Sequence, residues 1–442
     1  TCALPILDNA ATLNSNFIVI VNDNDQSIAE NHGGLYDNLK ALRDSDGKAE
    51  NNFFKSLGFE YLFVQNGNCV KDVIDALQKV KDSAKPTVVH IHTQKGKGWK
   101  AAEENKEPFH FILPHELDED KPQQEFCESY TSITKDYILD KAKTDKSFIV
   151  VNAGTPGVFG FDKNFRNRLA SQYTDVGIAE EHAVAYSSGL ATNGAKPIFA
   201  VMSSFVQRTY DQISQDLCLN NSPVTMLVYW GGISGADATH LCTFDIPLIS
   251  NIPNMVYLAP TSKEEYLKML DWAVNQTKYP VAIRVPNVEL KSTGVEDTTD
   301  YSILNKFKIE QSGSDVAIIG AGNFFKLACD TAEELKSKLG ITATVINPRF
   351  LTGVDEELLN SLKNNHKLVI TLEDGELNGG FGEKISRFYG TSDMKVLNYG
   401  SHKEFTDRVP LDELYKKYRL TKELITEDVK TVLNDVLSCI SK

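Results

Sequence analysis

The chain has 442 residues, too many for one ordinary core, and its 41% hydrophobic and 24% charged residues suit a folded, soluble protein of about three domains. A formal net charge of −14 argues against a nucleic-acid partner, and no apolar run approaches the roughly 20 residues of a membrane helix, so no membrane partner is expected either. The seven scattered cysteines, Cys2, Cys69, Cys127, Cys218, Cys242, Cys329 and Cys439, form no CxxC pair and no secretion signal opens the chain, which points to reduced thiols and a cytoplasmic location.

The chain starts without methionine on TCALPIL, which lacks the periodicity of the residues beyond it. It reads as an unnatural junction, and nothing before about Asp8 is expected to belong to the fold. After it, short runs rich in Val, Ile and Phe alternate with longer amphipathic stretches, the pattern of parallel strands buried on both faces by helices. Strands are predicted at Phe17 to Val21, Thr87 to His92, Ser147 to Val151, Pro197 to Val201, Thr225 to Tyr229, Val316 to Ile319, Thr344 to Ile346 and Leu368 to Leu372. A helix with a small-residue face is predicted around Ala179 to Thr192, and Asn193-Gly194 supplies its left-handed cap. Two polar stretches, Glu116 to Glu125 and Val288 to Asp300, read as linkers. The fold class is therefore α/β: three doubly wound domains with mainly parallel sheets, at 1–120, 121–300 and 301–442, the first of them incomplete.

Several motifs carry candidate chemistry. VNDNDQSIAEN, Val21 to Asn31, follows a buried strand and places polar oxygens at the C-terminal edge of a parallel sheet, where open α/β folds bind ligands. Asn24 by its side-chain carbonyl and Gln26 by its main chain would supply a magnesium ion with part of its shell of about six oxygens; the run is equally an ordinary Asn/Asp turn. In DVGIAEEHAVAYSSGLA, Glu180 and Glu181 begin a helix otherwise made of small and apolar residues. An inward glutamate there would have a raised pKa and could share a proton with a heteroaromatic nitrogen, whereas two solvated glutamates would simply suit the helix dipole. In SSFVQRTYDQ, Phe205 and Arg208 share a face if a helix forms, either to pack on a flat ring or as a core phenylalanine beside a surface arginine. GGISGADATH carries Asp237 and His240 on a small-residue loop, HTQKGKGW carries Lys95 and Lys97 around Gly96, and each is also compatible with a solvated turn. DGELNGGFGE, Asp374 to Glu383, lacks the GxGxxG register, so a dinucleotide fold is rejected.

Together, in order and spacing, NDNDQSI, HTQKGKGW, PFH, IAEEHAV, SSFVQR, GADATH, IRVP, INPRFL and NGGFG resemble the 1-deoxyxylulose-5-phosphate synthase family of the transketolase superfamily from about Asn9 to the C-terminus. The resemblance implies thiamine diphosphate and Mg2+ as cofactors, a homodimer, and transfer of a two-carbon unit from pyruvate, with loss of carbon dioxide, to an aldehyde such as glyceraldehyde 3-phosphate. It implies that Glu180 protonates the aminopyrimidine, that Phe205 stacks on it with Arg208 alongside, and that Lys95 belongs to the cofactor side. His110, His182 and His240 are implied in proton transfers, and Asp237 in hydroxyl recognition. The family's GDG segment, with its metal-binding aspartate, is expected before Asn9 and is not in this sequence. Met202 and Trp230 stand where the family has a phosphate-binding tyrosine and arginine; Arg284 keeps the third such position. Alternatives are a transketolase with a ketose donor and a catalytically silent cofactor-binding protein.

Overall fold

The computed structural model describes residues 3–13, 15–110 and 128–440. The linker expected at Glu116 to Glu125 lies outside them. The chain forms two compact units: residues 1–127, 152–166 and 174–182 in the first, and 128–151, 167–173 and 183–442 in the second.

The first unit holds a parallel sheet of β1 (Ile18–Asp23), β2 (Glu60–Val64) and β3 (Thr87–His92) in the order β1-β3-β2, with Ile18 opposite Thr87 and Asp23 opposite His92. Successive residues of β3 point to opposite faces, so Val88 packs with Leu39, Leu42, Phe54 and Phe59, while Val89 and Ile91 pack with Ala76 and Val80 of the helix Val70–Val80. Ala3–Ala11 is a helix, and Leu7, Ala10 and Ala11, spaced three and four apart, join the Leu39 and Leu42 cluster.

Two further sheets follow along the chain. Six strands, β4 (Phe148–Asn152), β5 (Tyr173–Asp175), β6 (Lys196–Met202), β7 (Thr225–Tyr229), β8 (Val256–Leu258) and β9 (Val281–Arg284), run in the order β5-β4-β6-β7-β9-β8. The other sheet has β10 (Lys308–Gln311), β11 (Asp315–Gly320), β12 (Thr344–Asn347), β13 (His366–Glu376) and β14 (Lys395–Ser401) in the order β10-β12-β11-β13-β14. Only the pairing of β10 with β12 is antiparallel among those described. All eight predicted strands are present, and β2, β5, β8, β9, β10 and β14 are additional. The added strands are short, like the three residues of β8, or interrupted by polar residues, like KVLNYGS of β14, so their apolar runs do not stand out.

The helix Glu180–Thr192 ends as expected, with Gly194 at φ 85° and Ala195 N donating to Leu190 O. Val288 to Asp300 is irregular, yet it is tied down: Glu264 accepts from Ser292, Thr293 and Gly294, and Asp297 accepts from Thr299 and Tyr301. Among the described residues, no helix is long and apolar enough to cross a membrane.

The Gly-rich Asp374 to Glu383 segment has an internal anion rather than a nucleotide. Glu373, fully buried, accepts from the N–H groups of Phe381 and Gly382 at 2.8 and 2.7 Å, capping the helix Phe381–Tyr389, and a Cβ on Gly380 would collide with it. Burial pushes the Glu373 carboxyl up to about 7, against the lowering effect of those two donors. A folded pKa above the unfolded one favours the protonated folded state, so the stability it contributes is complete below about pH 4.5 and is lost as pH rises through about 7. The loss should be on the order of 3 kcal/mol, since each tenfold change in acidity is worth about 1.4 kcal/mol. Urea unfolding of the wild type and Glu373→Gln from pH 4.5 to 8 checks this, since the difference between them should drift by that amount; a flat difference contradicts it.

Candidate functional site

In the first unit, the strand β1 runs straight into the Asn24 loop, and the loop is held by a buried ion-pair network. Asp23, 5% exposed, receives Arg43 Nη1 on both oxygens at 2.7 and 2.6 Å and lies 2.9 Å from His90 Nε2; Tyr61 lies 2.7 Å from His90 Nδ1. Burial acts to raise the Asp23 pKa, but the hydrogen bonds from His90 and Arg43 outweigh it and hold the carboxyl down at about 2. Arg43 Nη2 also reaches Asp25, and Asp25 N donates to Asp23, which holds Asp25 at φ 68°. The Asn24 side-chain oxygen accepts from Gln26 N at 3.2 Å. Lys95 turns onto the same loop and donates to Ser27 O and Ile28 O at 2.5 and 3.1 Å, and burial lowers its pKa. Lys95, far from Asn24 and Gln26 in sequence, is thus brought together with them.

One arginine of this unit escaped the sequence reading. Arg166 grips both oxygens of Glu107 at 2.9 and 3.0 Å and also reaches Glu30, so it links the turn before His110 to the end of the Asn24 loop. Residues 30, 107 and 166 share no motif, and no local signal pairs them. His110 closes a short 3-10 turn and is exposed; its pKa is lowered by partial burial and by Lys95. Glu180 opens its helix and is 2% exposed, Glu181 is half-buried and His182 exposed, and both glutamates bury carboxylate oxygens. Behind them, Ala183, Val184 and Ser187 of the same helix are fully buried.

In the second unit, Phe205 is half-buried ahead of a 3-10 turn, Val206–Thr209, rather than on an α-helix. Arg208 is exposed, and its N–H donates to Phe205 O at 3.1 Å. The Phe205 ring meets His240 edge-on with centroids 5.9 Å apart. Asp237 accepts from Thr239 N and Oγ1 and lies 3.1 Å from His240 Nδ1; these bonds, led by the Thr239 hydroxyl, hold its carboxyl below the usual range. Phe205, Asp237 and His240 therefore form one cluster.

Arg284 stands elsewhere, which corrects its expected role in phosphate binding. It is 4% exposed and paired with two buried carboxylates: Nε donates to Asp245 at 2.7 Å, Nη2 donates to the same group, and Nη1 donates to Asp374. Tyr257 also donates to Asp245. The glycines of GGISGAD are explained by this: a Cβ on Gly231 would lie 2.6 Å from Arg284 Nε, and one on Gly232 would lie 2.6 Å from Asp374 Oδ2. Met202 is buried at the end of β6, and Trp230 is 43% exposed with φ 62°.

Residues 1–50 and 46–93 match the family model described as 1-deoxy-D-xylulose-5-phosphate synthase, residues 129–292 match the transketolase pyrimidine binding domain, and residues 305–425 match the transketolase C-terminal domain. The 1-deoxy-D-xylulose-5-phosphate synthase of Carboxydothermus hydrogenoformans is 32% identical over 472 residues, covering 98% of this chain and 75% of its own. The chain belongs to the 1-deoxy-D-xylulose-5-phosphate synthase family. The family member of Clostridium tetani is 30% identical over 470 residues with the same coverage of each chain. A solved split-gene transketolase, an inactive beta4 tetramer, superposes with a TM-score of 0.59 at 21% identity over 69% of this chain and 98% of its own, and shares the transketolase-like fold of the family.

For a pyrimidine ring, a buried carboxyl on Glu180 and a half-buried aromatic face on Phe205 are the residue types required. For magnesium, the Asn24 loop would contribute one side-chain and one backbone carbonyl, the rest of a shell of about six oxygens coming from diphosphate and water. Among the described residues, no group of three or more His, Cys, Asp and Glu is arranged to hold a metal ion. Asp23 is committed to Arg43 and His90, so it adds no free carboxylate.

Proposed function

We propose that this chain is a thiamine-diphosphate-dependent transferase that moves a two-carbon unit from pyruvate, with loss of carbon dioxide, to an aldehyde. The observation that supports it most is Glu180, a buried carboxyl at the start of a small-residue helix inside the stretch that matches a pyrimidine binding domain. Bound thiamine diphosphate would supply the electron sink that decarboxylation needs. Glu180 holds a proton toward the aminopyrimidine nitrogen, Phe205 packs on that ring, and Arg208 lies alongside. Asn24 and the Gln26 main chain contribute to a magnesium shell, with Lys95 fixing their loop. His240, His110 and His182 move protons at substrate oxygens, and Asp237 orients His240 and a substrate hydroxyl. The domains run 1–120, 121–300 and 301–442, and the enzyme works as a cytoplasmic homodimer. Carbon dioxide release from pyruvate on addition of thiamine diphosphate and magnesium tests the reaction; two-carbon transfer from a ketose without that release would assign a transketolase instead.

The acceptor is an aldehyde without a phosphate. Of the three positions that would hold a phosphate, Met202 is apolar and buried, Trp230 carries no charge, and Arg284 is occupied by Asp245 and Asp374. Charge-assisted contacts are worth about 1.5–3 kcal/mol each, so each one lost lowers affinity roughly 10- to 150-fold. Glyceraldehyde and glyceraldehyde 3-phosphate should therefore differ in kcat/KM by less than about tenfold, and saturation by the triose phosphate at low micromolar concentration refutes this. The commitment of Asp23 to Arg43 and His90, beside the Asn24 loop, supports the second reading, a catalytically silent protein. Calorimetric titration with thiamine diphosphate and magnesium separates the two, because a silent scaffold shows no heat of binding.

A further inference from the structure

A cleft of about 1100 Å³ within the second unit has Arg349 on its wall, along with residues of the Val288 to Asp300 strap. None of Phe205, Asp237, His240 and Arg284 lines it. Arg349 is 8% exposed, and among the described residues its guanidinium makes one contact, Nε to Glu265 Oε1 at 3.2 Å, outside hydrogen-bonding alignment. Its Nη groups have no protein partner among the described residues. The buried atom without a hydrogen bond is Nε, while the Nη groups keep accessible surface and so stay open to a ligand. The backbone holds Arg349 there: it adopts φ 60°, its N–H donates to Asn347 Oδ1, and its carbonyl accepts from Ala259 N. Asn347 in turn donates to both oxygens of Glu265.

The nearby carboxylates are already satisfied. Glu265 accepts from Thr261 as well as Asn347, and Asp297 accepts from Thr299 and Tyr301. Glu264 accepts from Ser292 and Thr293, Glu310 pairs with Lys308 and Asp330 with Lys326, while Glu289, Glu296 and Glu333 are exposed, where water screens them. Lys291, at the cleft's edge, is exposed too and forms no ion pair among the described residues. We propose that this cleft is a binding site, separate from the Phe205 and His240 cluster, for a small metabolite that seats an oxyanion, carboxylate or phosphate monoester, on the Nη groups of Arg349 with Lys291 at its rim. The proposal goes beyond the two-carbon transfer and does not depend on it.

Isothermal titration of the full chain at low ionic strength with inorganic phosphate, and separately with acetate, distinguishes the two oxyanions. Saturable millimolar binding of one or both is expected, weakened at least tenfold by Arg349→Asn and about threefold by Lys291→Gln. Asparagine tolerates the left-handed backbone, so the first variant should keep its fold, which circular dichroism checks. If that variant unfolds, Lys291→Glu at the exposed rim must still weaken the binding. Absence of saturable binding in the wild type, or binding that neither Arg349→Asn nor Lys291→Glu alters, overturns the proposal.

Discussion

Replacing Arg284 by methionine is expected to lower stability by about 3–5 kcal/mol, the cost of leaving buried carboxylates without their counter-charge. The guanidinium is the only cation paired with either Asp245 or Asp374 among the described residues, and both acids are nearly inaccessible, at 1% and 3%. Methionine fills much of the volume but donates nothing, so Asp245 keeps only Tyr257 as a side-chain donor and Asp374 only Asn323. Urea unfolding measures the loss. Adding Asp374→Asn to the methionine variant should recover part of it, because a neutral amide in place of an orphaned carboxylate removes the larger penalty; purely additive losses in that cycle would mean the two groups are not coupled. Turnover need not track stability here, since Arg284 is assigned no contact with substrate.

Glu180→Gln should reduce carbon dioxide release from pyruvate by roughly 10² to 10⁴, the range in which a positioned proton donor contributes. The amide has nearly the same shape and retains a donor, but it carries no acidic proton to share with a ring nitrogen. Thiamine diphosphate affinity should change less than about tenfold, because most of its binding energy would come from other groups. Single-turnover decarboxylation measured beside calorimetric titration makes the distinction: a variant that binds the cofactor normally and decarboxylates at the wild-type rate removes Glu180 from the chemistry.

Individual residues show how far local information reaches. Glu180 and Glu181 could be singled out as a pair because they open a run of small and apolar residues, whereas only the family resemblance chose Glu180 between them. The strand β3 was equally plain, five consecutive buried residues followed by the half-buried His92. The three-residue β8 and the exposed β10 were not, since neither has enough apolar contrast to rise above the loops around it. The Gly-Gly of GGISGAD looked like a flexible loop, yet those glycines are small because Arg284 and Asp374 press against them. The opening helix was missed for a related reason: Leu7, Ala10 and Ala11 mean little without Leu39 and Leu42 to pack on.

The sequence by itself determined the α/β class and the family, because alternation of apolar runs and the order of short motifs are properties of neighbouring residues. Only the tertiary structure decided that Arg284 is spent on Asp245 and Asp374, partners 39 and 90 positions away, that Glu373 caps a helix, and that Arg349 lies buried with its Nη groups unanswered. Whether a charge is free or committed depends on which distant carboxylates the folded chain brings within about 3 Å of it, and a linear chain does not encode that distance locally.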